Sequence, residues 1–244
     1  MRSHSLFLLF LFYFLFFSGG SLTPLDGSDA GLKENLDLPF DAVGAEDGGD
    51  APETIKFYGA AYEGASFFFI VDTSASMNET DGDSVTRLER LKSEVRRAIF
   101  GLEPESRFSI TSFAGGVWHW HTGLVRANQE NKASAVEWVN NLAAEERYTY
   151  PAAAFSDVLP RAREEARRDP RRKPAILFVS DGLPNLPRPQ KEAPAFTLAK
   201  VTEANGGAAV IHAIWVGAQE SQAIEFMQAV ATANGGLFHN VAAR

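Results

Sequence analysis

The sequence predicts an α/β protein: a doubly wound, mostly parallel central sheet with one antiparallel edge strand and helices on both faces. Three observations carry this. Phe67-Phe68-Phe69-Ile70-Val71, residues 174–180 and residues 208–217 are apolar runs without alternation, as in strands covered on both faces of a parallel sheet. Stretches of helical periodicity separate them, and strand–helix units of this length imply right-handed crossovers within one sheet. The 244 residues, 45% hydrophobic and 22% charged, suffice for one soluble domain with a substantial core.

The N-terminus precedes that domain. Arg2 and His4 lead into an unbroken apolar run, residues 6–17, followed by Ser18-Gly19-Gly20-Ser21. A basic start, an apolar segment short for a bilayer and then small residues make residues 1–21 a secretory signal peptide cleaved near Gly20, with an uncleaved anchor as the alternative. Residues 22–53 follow as an acidic linker. Its acids, from Asp26 to Glu53, stand against a single Lys33, and such a stretch buries too little apolar surface to offset chain entropy. Asp47-Gly48-Gly49-Asp50 lacks the alternating acids and terminal Glu of an EF-hand loop.

Residues 54–244 form the domain. A short lead-in strand over 55–58 precedes the central strand, which ends abruptly at Asp72. Residues 78–84 are a polar loop in which Asp83 or Ser84 can cap a helix. That helix carries Leu88, Leu91, Val95, Ile99 and Leu102 on one face. Residues 107–113 read as a strand, turned by Ala114-Gly115-Gly116 into the hairpin partner 117–121. Residues 128–144 are a helix with Ala135, Val139 and Leu142 inward, and residues 155–168 another, ended by Asp169-Pro170. Beyond the strand 174–180 come a helix (193–205) stopped by Gly206-Gly207, the strand 208–217, a helix (220–234) and a last strand (237–241).

Charge and composition exclude several functions. A net charge of −8 argues against a general nucleic-acid binder, which needs a basic surface. The absence of cysteine removes disulfides, thiolate metal sites and thiol nucleophiles, and leaves the redox compartment open.

Two strand ends carry the chemistry. The first apolar strand runs into Asp72-Thr73-Ser74-Ala75-Ser76, and the strand 174–180 runs into Ser180-Asp181-Gly182-Leu183-Pro184-Asn185. Ligands of open α/β sheets bind outside the carboxyl ends of the strands, so both motifs arrive where a site belongs. Carboxylates and hydroxyls form a hard oxygen cluster suited to Mg²⁺, Mn²⁺ or Ca²⁺ and wrong for a soft metal. Two carboxylates suit a divalent ion: one leaves it under-neutralised, and three compete with an acidic ligand.

Asp72-x-Ser74-x-Ser76 after an apolar strand, with Asp181-Gly182 after a second, resembles the metal-ion-dependent adhesion site of von Willebrand factor type A domains. The resemblance runs from about Thr54 to Val241. It implies a metal held by Asp72, Ser74, Ser76 and Asp181, the serines directly and the aspartates mostly through water, with one position left for a carboxylate from a partner. The family's third motif, a threonine before a helix, is not matched at its own place, which falls near Ala153. Thr149 is the nearby hydroxyl of that type, Tyr150 is another oxygen, and water is the alternative. The resemblance implies binding of a protein or acidic ligand, not turnover, with no nucleic acid and with a membrane involved only if the N-terminal segment stays uncut. Loops at the sheet rim would set specificity: Asn78, Asp81, Asp83, residues 148–150 and residues 184–189.

Other candidates have plainer readings. His119 and His121 alternate with Trp118 and Trp120 as one face of a hairpin, and the arginines from Arg161 to Arg172 read as a solvated face with Glu164 and Glu165 among them. An Asp-x-Ser strand end also faintly resembles haloacid-dehalogenase-like phosphatases, with Asp72 as nucleophile, but Ser74 stands where a second acid is needed, and for the catalytic lysine Lys200 is merely a helix-face candidate. A scaffold without the ion is the third reading.

Overall fold

The computed structural model describes residues 52–144, 146–171, 173–186 and 193–241. The expected signal peptide (1–21), all but the last two residues of the expected linker (22–53), and rim residues 187–189 lie outside them. The chain opens with an antiparallel hairpin, β1 (Glu53–Phe57) against β2 (Ala60–Gly64). Its turn, Tyr58-Gly59, has positive φ at both residues (50° and 80°), the backbone that matches the twist of a two-residue hairpin. The sequence predicts a lone lead-in strand here. The structure pairs it with β2, whose Ala, Glu and Gly are weak strand formers and give no periodic signal, and β1 begins one residue before the expected linker boundary.

There follow β3 (Ser66–Asp72), α1 (Arg87–Gly101), β4 (Arg107–Phe113), the short β5 (Val117–His119) and β6 (Val125–Arg126), and α2 (Gln129–Asn140). The second half comprises α3 (Pro151–Arg168), β7 (Ala175–Ser180), α4 (Pro194–Asn205), β8 (Val210–Trp215), α5 (Ser221–Ala233) and β9 (Gly235–Asn240). The sheet order is β5-β4-β3-β7-β8-β9, with β6 also on β4. All pairings from β4 to β9 are parallel; β5 and β6 pair antiparallel with β4, so two short segments share the expected antiparallel edge.

Every residue of β3 is buried, because both faces of the sheet are covered. Phe67, Phe69 and Val71 face a core made with α1, α2 and the hairpin residues Ile55, Phe57 and Tyr62. Phe68 and Ile70 face the other core, built with α3, α4 and α5. At about 25 cal/mol per Å² of apolar surface removed from water, these aromatic and branched side chains dominate the stability of the sheet.

Helix starts differ from expectation in two places. The cap of α1 is Thr86, not Asp83 or Ser84: its side chain accepts the Glu89 N–H at 3.2 Å in a Thr-x-x-Glu arrangement. Asp83 instead takes the Val85 N–H at 2.9 Å and ends a turn. The other is α3, which starts at Pro151, four residues early, since proline is favoured at the first helical position and three alanines follow. At the far end of α4, Gly206 supplies the left-handed cap (φ 54°).

The chain leaves β3 toward β4 and leaves β7 toward β8, so the strand order reverses between β3 and β7. Open α/β sheets form a crevice at such a switch point. Asp72 and Asp181 stand at its two lips.

Candidate functional site

Past β3 the chain turns sharply. Asp72 is buried, and its Oδ1 accepts the Ser74 N–H at 2.8 Å, a local Asx turn that folds the two serines back over the strand end. A 3₁₀ turn, Ala75–Asn78, anchored by buried Met77, holds them there. Ser74 Oγ and Ser76 Oγ lie 3.2 Å apart, and the Ser76 hydroxyl donates to Asp181 Oδ1 at 2.8 Å. Ser180, the last residue of β7, donates its hydroxyl to Asp72 Oδ2 at 2.6 Å. The two strand ends are thus joined through side-chain oxygens.

Two further loops close round this point. The Ala75 N–H donates to the Glu146 carbonyl at 2.7 Å, and Thr149 and Asn185 exchange backbone hydrogen bonds of 2.9 and 2.8 Å. Thr149 is buried, with its hydroxyl facing Gly182. Among the described residues no hydrogen bond ties that hydroxyl to Asp72, Ser74, Ser76 or Asp181. Ala153 sits in the first turn of α3. Beneath Asp181, Gly217 packs so closely that a Cβ there would lie 2.7 Å from the Asp181 carbonyl oxygen. Beside the site a cleft of about 290 Å³ opens between Trp118 and Trp138, with Thr73 and Glu146 among its lining.

Two carboxylates this close in the protein interior repel. Burial first, and the charge of Asp181 second, push Asp72 up to about 7, against the hydrogen bonds from Ser180 and Ser74. Asp181 is also raised by burial, against its bonds from Ser76 and Arg87. A cation between them would relieve both. Among the described residues no three His, Cys, Asp or Glu side chains cluster as a metal group, so an ion here depends on the serine hydroxyls. The Ser74–Ser76 and Ser76–Asp181 oxygen pairs are themselves hydrogen-bonded, at 3.2 and 2.8 Å.

Residues 67–183 match the sequence profile of the von Willebrand factor type A domain. The chain carries a von Willebrand factor type A domain. The match runs from β3 to the turn after Asp181, and so includes both lips of the crevice. Among solved structures, a von Willebrand factor type A protein from Catenulispora acidiphila is similar at TM-score 0.57 and 20% identity, covering 74% of this chain and 39% of that one. An aerotolerance-related membrane protein from Bacteroides fragilis gives 0.54 and 14% over 72% and 91% of the two chains. The PilB minor pilin of Streptococcus sanguinis gives 0.52 and 12% over 74% and 59%. This chain therefore spans less than two thirds of the Catenulispora and pilin chains, and at such identities the likeness is one of fold. A comparison with curated proteins gave no match.

Two residues of the site were not among the expected ligands. Ser180 belongs to the Ser-Asp-Gly strand end, but its bond to Asp72 was not expected. Arg87 looks like one more exposed helix arginine, yet its Nη1 donates to Asp181 Oδ2 at 2.9 Å and its residue is 5% exposed. Its signal was there: a cation in the first turn of a helix opposes the dipole and calls for outside partners. The rim acids are engaged too, Asp81 by Arg87 and Arg90, and Asp83 by Arg90.

The remaining candidates resolve into structure. His119 bridges Thr111 Oγ1 (3.0 Å from Nδ1) and the Asp157 carboxylate, while His121 Nδ1 turns back to the Gly123 carbonyl. Thr111-His119-Asp157 has the connectivity of a nucleophile triad, but Thr111 is fully buried in mid-strand and closed to substrate. Arg167 and Arg168 pair with Glu164 and Glu165 on an exposed face of α3. Both oxygens of Asp72 are occupied, and Lys200 lies over the Phe196 ring on α4.

Proposed function

We propose that this domain is an exported interaction module that engages a protein or an acidic ligand through a Mg²⁺-class cation. Asp72, Ser74, Ser76 and Asp181 would hold the ion, with Thr149 or water completing the set. The observation that carries this is the convergence of the Ser74, Ser76 and Asp181 oxygens, 3.2 and 2.8 Å apart, at the switch point of the sheet. Bound there, the ion would supply a Lewis-acid position for a ligand carboxylate. The chain's own residues orient the oxygens: the Asx turn sets Ser74, Asp181 aligns Ser76, and Ser180 fixes Asp72. The tryptophan cleft beside them would receive the ligand's neighbouring group. No enzymatic step is proposed, for Ser74 stands where an Asp-x-Asp phosphatase needs its second acid.

Export rests on the apolar run of residues 6–17 and the small residues after it, with residues 22–52 as an acidic tether in the periplasm or outside the cell. Among the described residues no helix is long and apolar enough to cross a membrane. Calorimetry of the full chain with Mg²⁺, Mn²⁺ and Ca²⁺ tests the site. We expect one Mg²⁺ or Mn²⁺ per chain, weaker Ca²⁺, and loss of the heat in Ser76→Ala; absence of any ion binding by the folded wild type would defeat the reading. One observation favours a scaffold without the ion: Arg87 already neutralises Asp181.

A further inference from the structure

Arg87 is the first residue of α1, and its guanidinium reaches back into the site. Nη1 is 2.9 Å from Asp181 Oδ2, 3.0 Å from Glu79 Oε2 and 3.4 Å from the Ser76 carbonyl oxygen. Nε contacts both oxygens of Asp81 at 3.0 and 3.1 Å, and Nη2 takes Oδ1 at 2.7 Å. The Asp181 side chain is fully covered. One of its oxygens therefore faces Ser76 and the converging hydroxyls, and the other faces Arg87. An arginine fork is fixed, always charged and suited to carboxylates, so the contact is a standing positive charge and not a titrating one. Breaking a buried pair by removing one partner is costly because a bare charge remains. A divalent ion can take over the role of the missing partner.

We propose that Arg87 is the resident counter-cation of this site: it neutralises Asp181 when no metal is bound and thereby holds down the affinity for a divalent ion. The inference rests on the metal reading above. It assigns to Arg87 a sign opposite to that of a supporting residue. A residue that merely props up Asp181 would, when lost, weaken metal binding. Loss of a competing charge strengthens it. Asp81 and Glu79 make the device adjustable, since they share the same guanidinium from the rim loop, so anything that draws Asp81 away leaves more of the Arg87 charge on Asp181.

The test uses the full chain with Arg87→Gln and with Arg87→Lys, which keeps the charge. Free Mn²⁺ is counted by electron paramagnetic resonance, and melting is followed with chelator and with Mn²⁺. We expect Arg87→Gln to bind Mn²⁺ at least tenfold more tightly than wild type, Arg87→Lys to stay within about threefold of wild type, and the Gln variant to melt lower than wild type only in chelator. If Arg87→Gln does not fold without metal, refolding in excess Mn²⁺ must recover it; failure to recover it overturns the inference. A folded Arg87→Gln with equal or weaker Mn²⁺ affinity also overturns it, while wild-type binding leaves the metal reading standing. If neither wild type nor variant binds Mn²⁺, both readings fall together.

Discussion

Both carboxylate oxygens of Asp72 are taken by donors of its own chain, the Ser74 amide and the Ser180 hydroxyl. The residue is fully buried, and its ionised form is disfavoured enough to push its pKa up to about 7. An asparagine fits the same frame. Its carbonyl oxygen can accept from Ser74, and its amide can donate to Ser180, whose own hydroxyl can turn to the Gly182 carbonyl at 3.3 Å. Asp72→Asn should therefore fold, melt at or above the wild-type temperature in chelator, and bind Mn²⁺ roughly 10–100-fold more weakly, the scale of lost outer-shell partners. Thermal melts and Mn²⁺ calorimetry on the same sample check both parts. A variant that binds as wild type does would remove Asp72 from the site. At this scale the sequence was legible where a short-range rule sets the backbone: the turn from Asp72 to Ser76 gathers their side chains at one strand end. Thr149 and Arg87 were not legible, because loop pairing with Asn185 and the reach of a guanidinium across the crevice depend on contacts far apart in sequence.

Among the elements, β3 and β7 were readable because burial on both faces goes with wholly apolar interiors, Phe67 to Val71 and Ala175 to Val179. The β1–β2 hairpin was half readable, and what holds β2 is tertiary. The ring of buried Tyr62 meets His212 of β8 edge-on, centroids 4.8 Å apart, and His212 Nδ1 accepts the Leu237 N–H of β9 at 3.0 Å. One neutral imidazole therefore touches three strands. Nδ1 must be unprotonated to accept, and burial pulls the pKa down to about 4 from an ordinary 6.5. The sign follows from linkage. The unfolded chain takes up this proton first, so the contribution of His212 is complete above about pH 6.5 and is lost as the pH falls toward 4. Between pH 7 and pH 5 the wild type should lose stability relative to His212→Asn, which keeps an acceptor but does not titrate, by on the order of 1 kcal/mol. Urea midpoints of the two proteins at both pH values measure this; parallel pH profiles would show that the imidazole is charged in the fold or exposed.

At the scale of the molecule, the family match and the folding unit have different limits. The profile begins at Phe67, inside β3, and ends at Leu183. Yet the core on the α1–α2 face includes Ile55, Phe57, Tyr58 and Tyr62 from the hairpin before it, each at most 7% exposed. Removing one large buried side chain costs about 2–5 kcal/mol, and a domain of this size holds about 5–15 kcal/mol in all. Losing four together, about 8–20 kcal/mol, is as large as that whole reserve. The β8–α5–β9 unit beyond the match is equally needed, since Ile211, Ala213, Trp215, Phe226 and Met227 complete the opposite core. A chain beginning at Pro52 should therefore melt within a few degrees of the full chain and bind Mn²⁺ alike. One beginning at Ser66, which keeps every proposed ligand, should give no cooperative melt and no ion binding. Far-UV circular dichroism and Mn²⁺ titration of both separate the alternatives. If the shorter chain folds and binds, the hairpin is an appendage and the domain is only as long as its profile. If the longer one loses the ion while still melting cooperatively, the acidic residues before Pro52 belong to the site.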